Sequence, residues 1–214
     1  HPVVREALKI FQIKKGIEIV HTADLPARSG LGSSSTFTVG LLNALYSMKN
    51  KMVTKRELAL NAINLEQNII GESVGSQDQT IAAFGGLKLI EYRKSSTFLV
   101  NEVPVPSQRL HDLEKNLLLC FTGFSRTASE ISKHQIKNIN FKEKELNEMI
   151  KITKRGAEII SNKNISLNEF GDLLNQQWRI KKTMSNYISN QKIDEIYNTA
   201  INAGALGGKL LGAG

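Results

Sequence analysis

The sequence has few residues that could cross-link the chain or hold it in a membrane. Its single cysteine, Cys120, excludes an intrachain disulfide, and no Cys/His cluster has zinc-binding spacing. No apolar run approaches the roughly 18 residues of a membrane span, and no segment has the pattern of a signal peptide. Three leucines precede Cys120, which predicts a buried structural thiol rather than a nucleophile. These absences favour a cytoplasmic globular protein without a membrane partner.

The composition excludes a disordered chain, because 41% of the residues are hydrophobic and only 22% are charged. The 214 residues are enough for one or two domains with a sizeable core. The chain starts at His1 rather than at a methionine, and it stops inside a glycine-rich run at Gly214. We therefore expect a fragment of a longer protein.

The charge balance is basic, with 28 Lys and Arg against 20 Asp and Glu, or +8. Such an excess can serve nucleic acid, an anionic membrane or a polyanionic small substrate. The lysines are spread over predicted helices at 137–155 and 179–193, mixed with Glu143, Glu145, Glu148 and Glu158, and no basic block is interleaved with aromatic residues. This pattern is typical of solvated helix faces and argues against a nucleic-acid partner.

The first half of the chain mixes strand and helix patterns. We predict a strand at 16–22, a helix from Thr36, a helix from Thr54 to Gly71, a short helix at 81–84, and a hairpin of residues 87–92 and 97–103. Thr54 and Glu57 have the spacing of a capping box. Pro104 and Pro106 then punctuate the chain. The predicted domains are therefore 1–105 and 106–214.

The second half is mainly helical. Its apolar residues 116–122 predict a buried strand, and helices are expected at about 127–138, 142–162, 167–187 and 191–203. Ser166 and Glu169 predict a second capping box, and Gly204 a helix-ending glycine. The fold class is therefore α/β or α+β with two lobes.

The strongest local signal is a glycine-serine loop that leads directly into an amphipathic helix. Unpaired amides and the dipole at a helix N-terminus attract anions, and glycines let the backbone approach phosphate oxygens closely. This predicts a phosphate site, although a flexible loop with a serine N-cap would produce the same pattern. The residues of this predicted phosphate site are Gly30, Leu31, Gly32, Ser33, Ser34 and Ser35.

Two acidic residues supply the other parts that phosphoryl transfer needs. Glu66 interrupts an apolar helical stretch, and Asp78 lies in the predicted loop after it, between Gln77 and Gln79. Oxygen ligands suit Mg²⁺, and a carboxylate can position or deprotonate an acceptor hydroxyl. Two acids alone are a weak indication of such a site. The polar run from Gln77 to Gln79 favours a sugar, because a polyol needs several polar partners.

The loop resembles the second signature motif of the GHMP kinases (galactokinase, homoserine kinase, mevalonate kinase and phosphomevalonate kinase). The motif is proline, three residues, then Gly-Leu-Gly-Ser-Ser and a small residue, and Ser35 replaces the commoner alanine. Glu66 and Asp78 resemble the family's acidic metal ligand and catalytic aspartate. Residues 204–214 resemble its third, glycine-rich motif, whereas its first motif is absent.

This resemblance implies a two-lobed α+β fold, with a left-handed βαβ N-terminal lobe and a ferredoxin-like C-terminal lobe. It also implies ATP and Mg²⁺ as cofactors. The amides of residues 30–34 would hold the phosphates, Ser34 and Glu66 would hold the metal, and Asp78 would orient and deprotonate the attacking hydroxyl.

The sequence looks closest to the branch of bacterial D-glycero-D-manno-heptose 7-phosphate kinases, with fucose-type kinases nearby, at residues 75–80, 122–130, 178–182 and 204–214. The implied reaction is phosphorylation of a sugar phosphate at its anomeric hydroxyl, in nucleotide-activated heptose synthesis for surface polysaccharide. The resemblance leaves open whether the protein forms a homodimer. The acceptor-side candidates are Gln77, Arg126, Lys181, Lys182 and Gly208.

The alternatives are a neutral-sugar kinase for fucose or galactose, a mevalonate- or homoserine-type alcohol kinase, and a basic ligand-binding module without catalysis. The two lysines would be a solvated pair if neither receives a substrate phosphate.

Overall fold

The computed structural model describes residues 1–24, 30–93, 97–123, 136 and 139–212. These residues form two compact units, His1–Gly86 and a second unit that starts at Leu87. The predicted hairpin belongs to the second unit, and the domain limits 1–105 and 106–214 stay a prediction. Arg126 and nearly all of the helix expected at 127–138 lie outside the described residues.

The first unit is helical throughout its regular structure. Its elements are α1 (Pro2–Ile10), α2 (Ser33–Met48), α3 (Lys55–Asn64), a turn of π-helix (Leu65–Ile70) and α4 (Gln77–Phe84). The capping box is confirmed, because the Thr54 side chain accepts from the Glu57 amide and the Glu57 carboxylate accepts from the Thr54 amide. The π turn ends at Gly71, whose φ of 80° is left-handed.

The core of the first unit lies among its first three helices. Val3 and Ala7 of α1 are buried against apolar residues of α2 and α3. Burying each large apolar side chain contributes about 1.5–3 kcal/mol, so α1 is held by tertiary packing more than by its own propensity. The buried core residues of α2 and α3 include Val39, Leu41, Leu42, Leu45, Leu58 and Ala62.

The predicted strand at 16–22 is wrong. Residues 17–23 have no regular structure, although Ile19 packs against the core of the first unit. An isolated extended segment gains no ladder hydrogen bonds, and no neighbouring strand pairs with it among the described residues.

The second unit combines the hairpin with four helices among its described residues. The antiparallel strands are β1 (Lys88–Tyr92) and β2 (Phe98–Glu102), with Ile90 opposite Val100, which confirms the predicted hairpin. The described part contains no third strand, so the βαβ lobe implied by resemblance stays a prediction. The helices are α5 (Ser107–Lys115), α6 (Glu143–Ser161), α7 (Asn168–Thr183) and α8 (Gln191–Asn202), with a 3₁₀ turn at Ile139–Phe141.

The predicted buried strand at 116–122 is also wrong. The segment is irregular, Leu118 is 89% exposed, and Cys120 is exposed rather than a buried thiol. A buried strand needs paired neighbours and covered faces, and the described residues provide neither here.

The predictions for helix ends in the second unit have mixed outcomes. Ser166 and Glu169 form no capping box, since the Glu169 carboxylate pairs with Arg155 of α6 at 2.7 Å. Gly204 follows α8 with a φ of 100°, as a helix-ending glycine should. No helix among the described residues has both the length and the apolar character needed to span a bilayer.

Candidate active site

The glycine-serine loop meets Asp78 directly. Gly32 precedes α2 with a φ of 73°, a conformation that L side chains rarely adopt. A Cβ at Gly32 would also lie 3.1 Å from Asp78 Cγ. The backbone conformation therefore favours glycine at position 32, and a side chain there would also press on Asp78. Because of this close contact, the Asp78 carboxyl lies beside the N-terminus of α2, which suits anions.

The three serines at the start of α2 have different environments. Ser33 is half-buried, Ser34 is exposed and Ser35 is buried. The Ser35 hydroxyl donates to Glu66 Oε2 at 2.9 Å. Ser34 contributes its carbonyl to Thr38, whose Oγ1 donates to it at 3.2 Å. The contact with the buried acid is therefore made by Ser35, not by Ser34.

Glu66 is 1% exposed and lies in the π turn after α3. Its carbonyl accepts from the Glu72 amide at 2.9 Å, which closes a wide turn around Gly71. Such π turns often occur at functional sites. Oε2 of Glu66 accepts from both Ser35 and Gln79 Nε2. Oε1, also buried, has no hydrogen-bond partner in the described part of the chain.

Asp78 does not lie in a loop, as the sequence predicts. It lies in the first turn of α4, after Ser76 at the N-cap. Asp78 is exposed as a whole residue, but partial desolvation of its carboxyl raises its pKa above the ordinary value, and the nearby charge of Glu66 raises it further. The pKa of Glu72 rises for the same two reasons, burial first. The pocket around Glu66 therefore disfavours additional negative charge unless a cation enters.

The donor set of the first unit fits a hard divalent cation. An orphaned, buried carboxylate oxygen on Glu66 is the kind of ligand that Mg²⁺ takes. No group of three or more His, Cys, Asp or Glu side chains that could hold a metal is found in the residues described. Mg²⁺ commonly completes its shell with waters and substrate phosphates, so one or two protein ligands suffice.

The two glutamines of the polar run at 77–79 have different environments. Gln77 is exposed at the start of α4, two residues before the fully buried Gln79. Gln79 donates to Glu66, so its amide is engaged inside the protein. The sequence argument that Gln79 would serve a polyol is therefore not supported by its environment.

The lysines predicted on the acceptor side already have partners within the second unit. Lys181 Nζ donates to the carbonyls of Leu210 at 3.0 Å and Gly212 at 2.6 Å. Lys182 Nζ lies 3.4 Å from Asp194 and 5.6 Å from the Trp178 ring centroid. Their predicted role toward a substrate phosphate stays a prediction.

The glycine-rich segment of the second unit packs closely on α7. A Cβ at Gly207 would lie 2.0 Å from the Gly171 carbonyl oxygen, so no other residue fits there. Gly208 is half-buried, and a Cβ there would meet nothing within 4 Å. Its predicted contact with substrate stays a prediction.

Sequence reasoning missed one feature of the candidate site and, separately, one lysine of the second unit. The first is the pair of hydrogen bonds that Ser35 and Gln79 donate to Glu66. These two donors lie 31 and 13 positions away from Glu66 in the sequence. The second is Lys209, whose Nζ donates to Gln177 Oε1 at 3.0 Å and whose pKa is lowered by burial. Only its position inside the glycine-rich motif could have drawn attention to Lys209.

Comparison with known proteins gives consistent matches. Residues 2–86 match the GHMP kinases N terminal domain, and residues 159–214 match the GHMP kinases C terminal domain. A D-glycero-alpha-D-manno-heptose 7-phosphate kinase of Campylobacter jejuni is 34% identical over 199 residues. The match covers 91% of this chain and 58% of the Campylobacter protein. A mevalonate kinase of Thermococcus sibiricus is 27% identical over 222 residues, covering 99% of this chain and 62% of its own.

The fold has a similar match among solved structures. The crystal structure of a D-glycero-D-manno-heptose 1-phosphate kinase from Bacteroides thetaiotaomicron superposes with a TM-score of 0.69 and 29% identity. That match covers 100% of this chain and 60% of the other. The chain thus spans about three fifths of the length of each of these three proteins.

Proposed function

Because this chain belongs to the GHMP kinase family, we propose that the complete protein transfers the γ-phosphoryl group of ATP to a sugar phosphate. The acceptor we favour is D-glycero-D-manno-heptose 7-phosphate, phosphorylated at its anomeric hydroxyl. One observation carries the proposal: the Asp78 carboxyl lies against Gly32, at the N-terminus of α2. This contact brings a candidate base beside a candidate phosphate site.

The phosphates of ATP would bind at the start of α2. The backbone amides of residues 30–34 are the donors, and Gly30 and Gly32 have φ values of 77° and 73° that open the loop to close approach. A phosphate placed there gains from the helix dipole as well as from hydrogen bonds.

Asp78 would orient the acceptor hydroxyl and take its proton. A general base works best when its pKa is near the working pH, and burial moves the pKa of Asp78 in that direction. Its place in the first turn of α4 holds the carboxyl on a helix rather than on a loop.

Glu66 would hold Mg²⁺ through Oε1, its unpartnered oxygen. When bound, the ion neutralises charge on the nucleotide phosphates. Ser34 is the second ligand implied by the family resemblance, and its exposed position leaves the hydroxyl accessible. Ser35 hydrogen-bonds Glu66, so its part is to hold that carboxylate.

The names of two similar proteins and the net charge support a phosphorylated acceptor. Both the Campylobacter and the Bacteroides proteins are heptose phosphate kinases by name, and the chain carries +8. We place the reaction in the cytoplasm, in nucleotide-activated heptose synthesis for surface polysaccharide. The second candidate is a mevalonate-type alcohol kinase, favoured by a match to a mevalonate kinase that covers 99% of this chain.

The test is ADP release by the complete protein with a panel of acceptors. Heptose 7-phosphate is compared with free heptose, galactose, fucose and mevalonate. Losing one charge-assisted contact costs about 1.5–3 kcal/mol, so free heptose should have a kcat/KM about 10- to 150-fold lower. Equal or better use of a neutral sugar would refute the phosphorylated acceptor, and preference for mevalonate would favour the second candidate. Failure to bind ATP with Mg²⁺ would favour a non-catalytic ligand-binding module.

A further inference from the structure

Two hydrogen bonds hold the same oxygen of Glu66. The Ser35 hydroxyl and the Gln79 side-chain amide both donate to Oε2, while Oε1 accepts from nothing in the described part of the chain. A carboxylate accepts at both oxygens when donors are available. The arrangement is therefore one-sided, and the unused oxygen is the one available to a ligand.

The orientation of the Gln79 amide follows from chemistry. An amide oxygen against the Glu66 carboxylate would place two acceptors together, so the NH₂ group must face Oε2. The Gln79 oxygen then points elsewhere, and it too is buried without a partner among the residues described. The Gln79 side chain therefore donates a hydrogen bond to Glu66, while its own amide oxygen receives none among the described residues.

A purely structural role explains this arrangement poorly. Gln79 is 0% exposed, and a buried amide with an unsatisfied oxygen destabilises a fold relative to an apolar side chain of similar shape. Neighbouring apolar helices supply a core that does not require it. The feature that only Gln79 and Ser35 supply is a fixed orientation of the Glu66 carboxylate.

We propose that Gln79 is a positioning residue for the divalent cation, because its amide holds Glu66 Oε2 and thereby keeps Glu66 Oε1 free as the ligand oxygen. The proposal rests on the proposed function, in which Glu66 binds the ion that accompanies ATP. Groups that orient a metal ligand change metal affinity by about 10- to 100-fold when removed. Gln79 never touches the substrate in this arrangement; it acts through Glu66.

The experiment uses Mn²⁺ as the probe and the complete protein with a non-hydrolysable ATP analogue. Free Mn²⁺ is measured by electron paramagnetic resonance during titration, which requires no turnover. Gln79→Met removes the donor but keeps an unbranched side chain of similar length. We expect its dissociation constant for Mn²⁺ to rise about 10- to 100-fold, with unchanged affinity for the analogue in the absence of metal.

The matched control is Gln67→Met, in the π turn that contains Glu66. Gln67 Nε2 donates to the Val74 carbonyl at 2.9 Å and to Ser76 Oγ at 3.1 Å, not to Glu66. The control should bind Mn²⁺ within about threefold of the wild type. Both variants are first checked for native circular dichroism and cooperative thermal unfolding. If Gln79→Met does not fold, Gln79→Asn retains the amide but is one methylene too short to reach Glu66, and it carries the same expectation.

The outcomes separate this proposal from the proposed function. A folded Gln79 variant whose Mn²⁺ affinity stays within threefold of the wild type overturns the positioning role and leaves the kinase proposal intact. An equal loss of Mn²⁺ affinity in Gln67→Met also overturns it, because the effect would then come from a general destabilisation of the π turn. Absence of Mn²⁺ binding by the wild-type complex overturns both.

Discussion

The two units of this chain treat their buried polar groups in opposite ways. Among the described residues, the unpartnered buried side-chain atoms of the first unit are two acceptors, Glu66 Oε1 and Gln79 Oε1, whereas that of the second unit is one donor, Trp178 Nε1. Several lysines of the second unit have internal acceptors, as Lys181 has two carbonyls. Unsatisfied acceptors beside a buried carboxylate suit a cation, whereas satisfied lysines stabilise the fold. We therefore expect ligand chemistry in the first unit, whereas the role of these lysines toward a substrate phosphate stays a prediction.

The largest effect is expected at Asp78. Asp78→Asn retains the shape but removes the base, so turnover by the complete enzyme should fall about 10²- to 10⁴-fold while nucleotide affinity changes little. Single-turnover kinetics with ATP titration measure both quantities. Asp172→Asn, on an exposed position of α7, is the matched control and should leave turnover unchanged. Wild-type turnover in Asp78→Asn would remove this residue from the mechanism.

The next effect is expected from the proposed metal ligands. Glu66→Gln and Ser34→Ala should each raise the Mg²⁺ concentration that gives half-maximal rate, because oxygen ligands set its affinity. For Glu66→Gln we expect an increase of about 10- to 100-fold, and a smaller one for Ser34→Ala, since its neutral hydroxyl attracts the ion less. An unchanged Mg²⁺ dependence in both variants would refute Glu66 and Ser34 as metal ligands. It would also remove the proposed difference in ligand chemistry between the two units.

A smaller, structural effect is expected at Gly32. Gly32→Ala combines a left-handed φ of 73° with a Cβ only 3.1 Å from Asp78 Cγ. The backbone conformation alone costs about 1–2 kcal/mol, and the contact should displace Asp78, so both melting temperature and kcat should fall. Gly40→Ala in the interior of α2 is the control, because a Cβ there meets nothing within 4 Å. It should stabilise the protein by up to about 1 kcal/mol. An active, fully stable Gly32→Ala would contradict the geometry of the loop.

The smallest effect is expected at Lys181. Lys181→Met removes donors to two carbonyls of the glycine-rich segment. Since the ammonium is partly exposed, we expect a loss of about 1 kcal/mol in the free energy of unfolding, measured by urea denaturation. The KM for the acceptor should change less than threefold. A rise of 10-fold or more in that KM, with unchanged stability, would show that the lysine receives a substrate phosphate.

Elements decided by neighbouring residues were predictable. The Thr54–Glu57 capping box, the hairpin of β1 and β2, and the glycine-serine loop before α2 each depend on contacts within a few positions. The family motifs around Gly32, Glu66 and Asp78 are similarly local. They identified the residues of the candidate site without their mutual arrangement.

Sequence alone thus determined the capping box, the hairpin and the choice of candidate site residues, because motif spacing and helix signals are properties of short segments. Tertiary structure decided the rest. The strand patterns at 16–22 and 116–122 formed no strands, since a strand exists only with a partner, and none pairs with them among the described residues. Packing of α2 and α4 with the π turn put Ser35 and Gln79 on one oxygen of Glu66. That contact joins residues far apart in the chain, and its energy depends on burial, which no local pattern encodes.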